Sequence, residues 1–278
     1  MRFLRYGPAG AERPGVLDPQ GAVRDLGHEF GDLSGAALER LGAVDPRKFP
    51  VVQGAVRLGV PVAGVGKYIC VGMNYTDHAR ENGMQPPREP IIFLKATSAL
   101  CGPNDDVLLP RESQKADWEA ELGVVIGRHA AYVSEAAALS HVAGFVAVND
   151  LSDREFQLER AGQWTKGKSA DTFGPVGPYL VTPDEAGDPQ DMALRFWLNG
   201  VLMQDGHTSN MIFPVARLIS YISRFMSLHP GDIIATGSPS GVGMGRRPPV
   251  FLKGGDLIEL EVGRLGRQRQ TVRAPEAG

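Results

Sequence analysis

Three observations on the sequence predict a β-dominated α+β fold. The 35 glycines and 21 prolines make up about a fifth of the 278 residues, against roughly 12% in average usage, and are spread along the chain. Short apolar runs bounded by those turn residues outnumber the segments with helical spacing. The helical segments are brief, and they do not alternate with strands as a doubly wound sheet requires.

The elements follow in order. Residues 1–64 read as a small leading α+β unit. MRFLRY, RPGVLD and GAVRDL are strands, with Asp18-Pro19-Gln20-Gly21 turning between the last two. Ser34 is placed to N-cap a short helix in DLSGAALERL, and the Pro/Gly-rich segment PVVQGAVRLGVPVAGVG leads into a main domain over 65–278. There KYICVG is a strand, NYTDHAREN a short helix ended by Gly83, and EPIIFLKA a strand. DWEAELGVVIG is the next strand, followed by a helix from Ser134 through His141 and the strand VAGFVAVND. Ser152-Asp153-Arg154-Glu155 matches a capping box, so a helix is expected to begin at Ser152. A loop, GQWTKGKSADTFGPVGP, precedes strands near 179–182 and 193–198. The helix over 215–226 carries Val215, Leu218, Ile219, Ile222 and Met226 on one face. GDIIATG, PVFLKGGDLIELEV and RQRQTVR close the chain as strands and turns.

Composition excludes several function classes. A 42% hydrophobic, 22% charged chain of formal charge -3 is an ordinary globular protein without the basic footprint of a nucleic-acid binder. No basic run suggests a membrane surface, and no apolar run reaches the length of a membrane span. MRFLRYGPAG lacks the apolar core of a signal peptide, and Cys70 and Cys101 belong to no CxxC pattern. The expected location is therefore cytoplasmic, with both thiols reduced.

The acids carry the chemistry. In a strand, Glu119 and Glu121 point together while Trp118, Ala120 and Leu122 point opposite. Alone, that pattern also fits a strand whose first polar residues stay solvated. Asp150 ends the apolar strand VAGFVAVN, where it is either a turn residue or a third acid at a strand terminus. Together the three would be an all-oxygen set suited to a hard divalent cation, which would relieve their repulsion. His78 and Glu81 share a helix face at i and i+3, as an imidazole oriented by a carboxylate or as an exposed pair. Their polar, Gly/Pro-rich flank ENGMQPPREP has the composition of a mobile lid. Lys168 lies in a polar loop, where a lysine is ordinarily solvated. GSPSGVGMG at 237–245 is a flexible loop that matches neither a phosphate loop nor a nucleophile elbow, and His129, His141, His207 and His229 are scattered without ligand spacing.

The succession ICVGMNYTDHARENG, PIIFLKATSALCGPNDDVLLP, DWEAELGVVIG, AVNDLSDREFQ, QWTKGKSADTFGPVGP and GDIIATGSPSGVG resembles the fumarylacetoacetate hydrolase family over about residues 66–265. The resemblance implies a mixed β-roll catalytic domain, a homodimer, and a bound Mg²⁺ or Mn²⁺. It implies Glu119, Glu121 and Asp150 as metal ligands, His78 and Glu81 as a lid dyad, and Lys168 as the active-site lysine. Gln157 and Thr236 would touch a bound 2-oxo acid, and Met73 stands where related sequences often carry Arg or Leu. The implied reaction is hydrolysis of a small 2,4-dioxo acid between C3 and C4 to pyruvate and a carboxylic acid. Similarity in the leading domain and the QWTKGKSADTFGP loop tilts the substrate toward 2,4-dioxo-3-deoxy sugar acids of the L-rhamnonate type. The same site could decarboxylate oxaloacetate-like acids or isomerise dioxo acids; decarboxylation needs no activated water. A non-catalytic divalent-ion-binding β domain would need neither the His-Glu pair nor the lysine.

Overall fold

In the computed structural model, which describes residues 1–81, 83 and 85–275, the chain is built on two large sheets. Among the described residues the larger has nine strands in the spatial order 23–25, 13–17, 2–6, 180–181, 142–149, 120–126, 233–235, 68–72 and 91–95. The strand Ile233–Ala235 runs parallel to Tyr68–Gly72 and antiparallel to Ala120–Ile126, so the sheet is mixed. The second sheet has five strands in the order 201–207, 193–198, 257–262, 267–273 and 107–108.

The middle of the larger sheet shows why its strands read as unbroken apolar runs. Leu122, Val124 and Ile126 join Phe145 and Ala147 in a core shared with the second sheet. On the opposite face Val125 joins Val146, Val148 and residues of the leading segment such as Phe3, Leu26 and Leu38. A strand covered on both faces has no position left for solvated side chains. The leading strands add to this sheet through Arg2–Tyr6, which pairs with Leu180–Val181.

Several local expectations are corrected. Residues Gly35–Ala43 form a 3₁₀ rather than an α-helix, and the Ser34 side chain makes no capping bond. The 134–141 segment splits into an α-turn at Glu135–Ala138 and a 3₁₀ turn at Leu139–His141, and the later helix spans only Val215–Ile222. Ser152 and Asp153 pair with Ala116 and Asp117 as a short strand. The cap shifts one residue on: Asp153 Oδ1 accepts from the Phe156 N–H at 2.9 Å, and a π-turn follows over Glu155–Glu159. Ser152 instead donates its hydroxyl to the Asp150 carbonyl. The strand Val201–His207 is absent from the apolar pattern. It pairs with Ala193–Leu198 through Asn199-Gly200, both at positive φ, the preferred composition of a two-residue hairpin turn. Asn82, in the expected helix, and Met84, in the expected lid, lie outside the described residues.

Candidate active site

Antiparallel pairing assembles the acids. Val148 lies opposite Glu121 and Asn149 opposite Ala120, and the Asp150 N–H donates to the Glu119 carbonyl at 2.9 Å. Glu119 and Glu121 thereby share a face, with Asp150 beside them. Among the described residues these three offer carboxylate oxygens that all lie within 4.8 Å of one another, and all three side chains are buried.

Their repulsion is met by protein cations. Lys168 belongs to the one-turn helix Thr165–Lys168 rather than to a solvated loop, and only 2% of it is exposed. Its ammonium donates to Glu119 Oε2 at 2.6 Å and Asp150 Oδ2 at 2.7 Å. Lys95 holds Asp150 Oδ1 at 2.6 Å, and Arg154 donates to Glu119 Oε1, to Asp117 Oδ2 and to Gln157 Oε1. With Asp117 included, four carboxylates face three cations, so full ionisation leaves one excess negative charge in a water-poor setting.

The excess falls on Glu121. One of its oxygens accepts the Gly237 N–H at 2.8 Å, and burial, then the charges of Asp150 and Glu119, push its carboxyl well above the usual range. Gly237 itself is confined to glycine, since φ is +98° and a Cβ would stand 2.7 Å from the Asn74 Cβ. Burial also works to raise Glu119, but the Lys168 ammonium and the Arg154 guanidinium outweigh it and hold that carboxyl far below its ordinary value. For Lys168 burial favours the neutral amine, yet Asp150 and Glu119 prevail and keep it charged.

His78 and Glu81 stand above this floor on the helix Thr76–Glu81, with His78 Nδ1 3.3 Å from Glu81 Oε2. Glu81 also accepts the Gly241 N–H at 3.0 Å. Burial raises its carboxyl, whereas the His78 contact and the Gly241 N–H bring it below its normal value. The 237–245 segment, expected as a flexible loop, is largely buried. Its backbone N–H groups at Gly237, Gly241, Gly243 and Met244 bind the carboxylates of Glu121, Glu81 and Asp117. The Asn74 side-chain amide ties the helix entrance to the carbonyls of Phe213 and Thr236.

A cavity of about 230 Å³ is lined by His78, Glu119, Glu121, Gln157 and Lys168 among others. Thr236 is near but turned away: its hydroxyl donates to the Leu122 carbonyl at 2.8 Å, and it is not among the lining residues. The sequence reading omits Lys95, Asp117 and Arg154. A lysine closing the apolar strand Ile91–Lys95 is the one signal that could have flagged the first, and it is 3% exposed.

The donor set fits a hard divalent cation. It is all oxygen, and donors on an octahedral Mg²⁺ lie up to about 4.2 Å apart, so the present spacing needs only a small side-chain contraction. A divalent charge would turn the cluster's one excess negative charge into one excess positive charge, which an oxo-acid carboxylate would then neutralise.

Residues 67–273 match the fumarylacetoacetate (FAA) hydrolase C-terminal family. A Burkholderia lata relative carrying the name "Putative hydrolase" is 54% identical over 279 residues, covering 98% of this chain and 99% of its own. The structure of a fumarylacetoacetate hydrolase from Exiguobacterium antarcticum superposes with a TM-score of 0.87 at 35% identity, covering 99% of both chains. A 5-carboxymethyl-2-hydroxymuconate delta-isomerase from Mycobacterium smegmatis gives a TM-score of 0.79 at 32% identity, covering 100% of both. Among the described residues no helix is long and apolar enough to cross a membrane. With its sheet order, its buried acidic cluster and these likenesses in agreement, this chain belongs to the fumarylacetoacetate hydrolase family.

Proposed function

We propose that the protein is a divalent-metal-dependent hydrolase that cleaves the C3–C4 bond of a 2,4-dioxo acid, giving pyruvate and a carboxylic acid (EC 3.7.1 class). The observation that carries this reading is one cavity lined by two of the three clustered carboxylates together with His78 and Lys168. Glu119, Glu121 and Asp150 would hold Mg²⁺ or Mn²⁺, which when bound supplies Lewis-acid polarisation of the oxo acid's oxygens. His78, oriented by Glu81, takes a proton from water, and the hydroxide equivalent adds to C4. The C3–C4 bond then breaks with its electron pair on C3. Proton return to C3 completes pyruvate, and the water oxygen ends in the new carboxylic acid. The Lys168 ammonium, kept charged, offsets negative charge developing on the departing fragment. Gln157, with Oε1 held by Arg154, lies at the cavity wall in position to orient the oxo-acid head.

A second reading, isomerisation of a dioxo acid, is favoured by the neighbour named as an isomerase. It needs proton transfer but no attacking water. The test is a panel of acylpyruvates, unsaturated dioxo acids and oxaloacetate with Mg²⁺, following enol absorbance and pyruvate. Pyruvate and carboxylic acid in equal amounts from a dioxo acid support hydrolysis. Loss of absorbance without pyruvate supports isomerisation and overturns it.

The same proposal places the protein in the cytoplasm as a homodimer. Its buried, unpaired Cys70 and Cys101 suit a reducing compartment, and sedimentation would test the dimer.

A further inference from the structure

The cavity has two unlike sides. Apart from His78, which stands at the rim beside Glu81, its polar groups gather at the carboxylate floor and are largely committed there: Arg154 to Asp117, Glu119 and Gln157, and Lys168 to Glu119 and Asp150. Ser238, which carries the hydroxyl at the wall, donates it to the Ala120 carbonyl and accepts from Gln204. The remaining wall is apolar, made by Met73, Ile91, Phe93, Leu158, Trp164 and Met244.

Trp164 is fitted into that wall. Its ring packs edge-on against Phe93 at 5.3 Å and covers Gly72, where a Cβ would meet the indole at 2.8 Å. Gly72 thus makes room for the indole. Met73 follows at φ +56°, in the left-handed region that a methionine rarely adopts, and lines the cavity. The volume of about 230 Å³ exceeds the roughly 150 Å³ that houses a benzene in a dry apolar cavity. It is enough for an oxo-acid head and one ring or short chain.

Resting on the hydrolase reading for the position of the head, we propose that the acyl end of the substrate is a compact apolar group, alkyl or aryl, seated against Met73, Leu158 and Trp164. A polyhydroxylated, sugar-derived tail would leave its hydroxyls facing methyl, thioether and ring surfaces with no partner. The assignment therefore turns away from the sugar-acid substrates that the sequence resemblance suggests.

The test separates binding from turnover. Calorimetry on the Mg²⁺-loaded full chain would compare an alkyl 2-oxo acid lacking the 4-oxo group, which this reaction cannot cleave, with its polyhydroxylated counterpart of equal length. The alkyl acid is expected to bind more tightly by on the order of 10- to 100-fold. Leu158→Gln, at a position 44% exposed, and Met73→Asn, whose side chain tolerates positive φ, should each narrow that ratio several-fold with melting unchanged. Equal affinities, a preference for the hydroxylated acid, no binding of either, or a ratio unmoved by both variants would overturn the assignment. Failure of every dioxo acid to release pyruvate, with the ratio intact, would sink the hydrolase reading and leave this one supported.

Discussion

The floor and the rim of the candidate site are held by different forces. At the floor Glu119, Asp150, Lys95, Lys168 and Arg154 are buried and bound to one another by charge-assisted hydrogen bonds. At the rim His78 and Glu81 sit on a single short helix, and neutral backbone N–H groups of the 237–245 segment supply much of the support. Charges removed from water depend on their partners for the stability of the whole fold, whereas a dyad of a buried His78 and a partly exposed Glu81, supported largely by neutral N–H groups, can be changed with less structural cost. Floor substitutions should therefore cost stability and activity together, and rim substitutions activity alone.

The largest effect is expected from Lys168→Met. It leaves Glu119 and Asp150 facing each other without the shared ammonium, and breaking a buried pair of this kind costs about 3–5 kcal/mol. Urea unfolding should show that loss beside abolished pyruvate release. A variant of unchanged midpoint would mean that Lys168 is not a structural cation of the floor.

At the rim, His78→Ala should lower pyruvate release by roughly 10²- to 10⁴-fold, the usual range for a general base, with a melting temperature close to wild type. Glu81→Gln should act in the same direction and more weakly, since it keeps a group that can accept from Gly241. A large fall in melting temperature for either would erase the distinction between floor and rim.

A smaller effect sharpens the contrast within the floor. Glu121 is raised in the folded state, chiefly by burial and then by Asp150 and Glu119, so the fold retains a proton that the unfolded chain releases. Stability from this group must then fall as pH climbs above its ordinary value of 4.5, and the loss continues up to the raised folded value. Glu119 runs the opposite way: its lowered carboxyl contributes stability above 4.5 that is lost as pH drops through the folded value. As pH rises above 4.5 the metal-free wild type should lose stability relative to Glu121→Gln. Denaturant midpoints of the two proteins in chelator check the sign, and parallel curves would contradict it.

Much of this was legible in the sequence. Glu119 and Glu121 announce a shared face by their spacing, and Asp150 by its place at a strand end, because strand periodicity is local information. His78 and Glu81 were legible for the same reason at helical spacing. The counter-charges were not. Lys95, Arg154 and Asp117 come from three separate segments, brought together by the register of Ala120–Ile126 against Val142–Asn149, the Ser152–Asp117 pairing and the pairing of Lys95 with Tyr68. The 237–245 segment reads as a flexible loop because its role lies in backbone N–H groups, which every residue but proline carries. Its glycines signal freedom in the sequence, yet in the fold they permit close approach.

Titration of Mn²⁺ into the metal-free protein, followed by electron paramagnetic resonance and compared with Glu121→Gln, tests the central claim most directly. One Mn²⁺ should bind per chain, with affinity lowered at least about 100-fold in the variant, more than the loss of an outer-shell partner would bring. No bound Mn²⁺ in the wild type, or undiminished binding in Glu121→Gln, would contradict it.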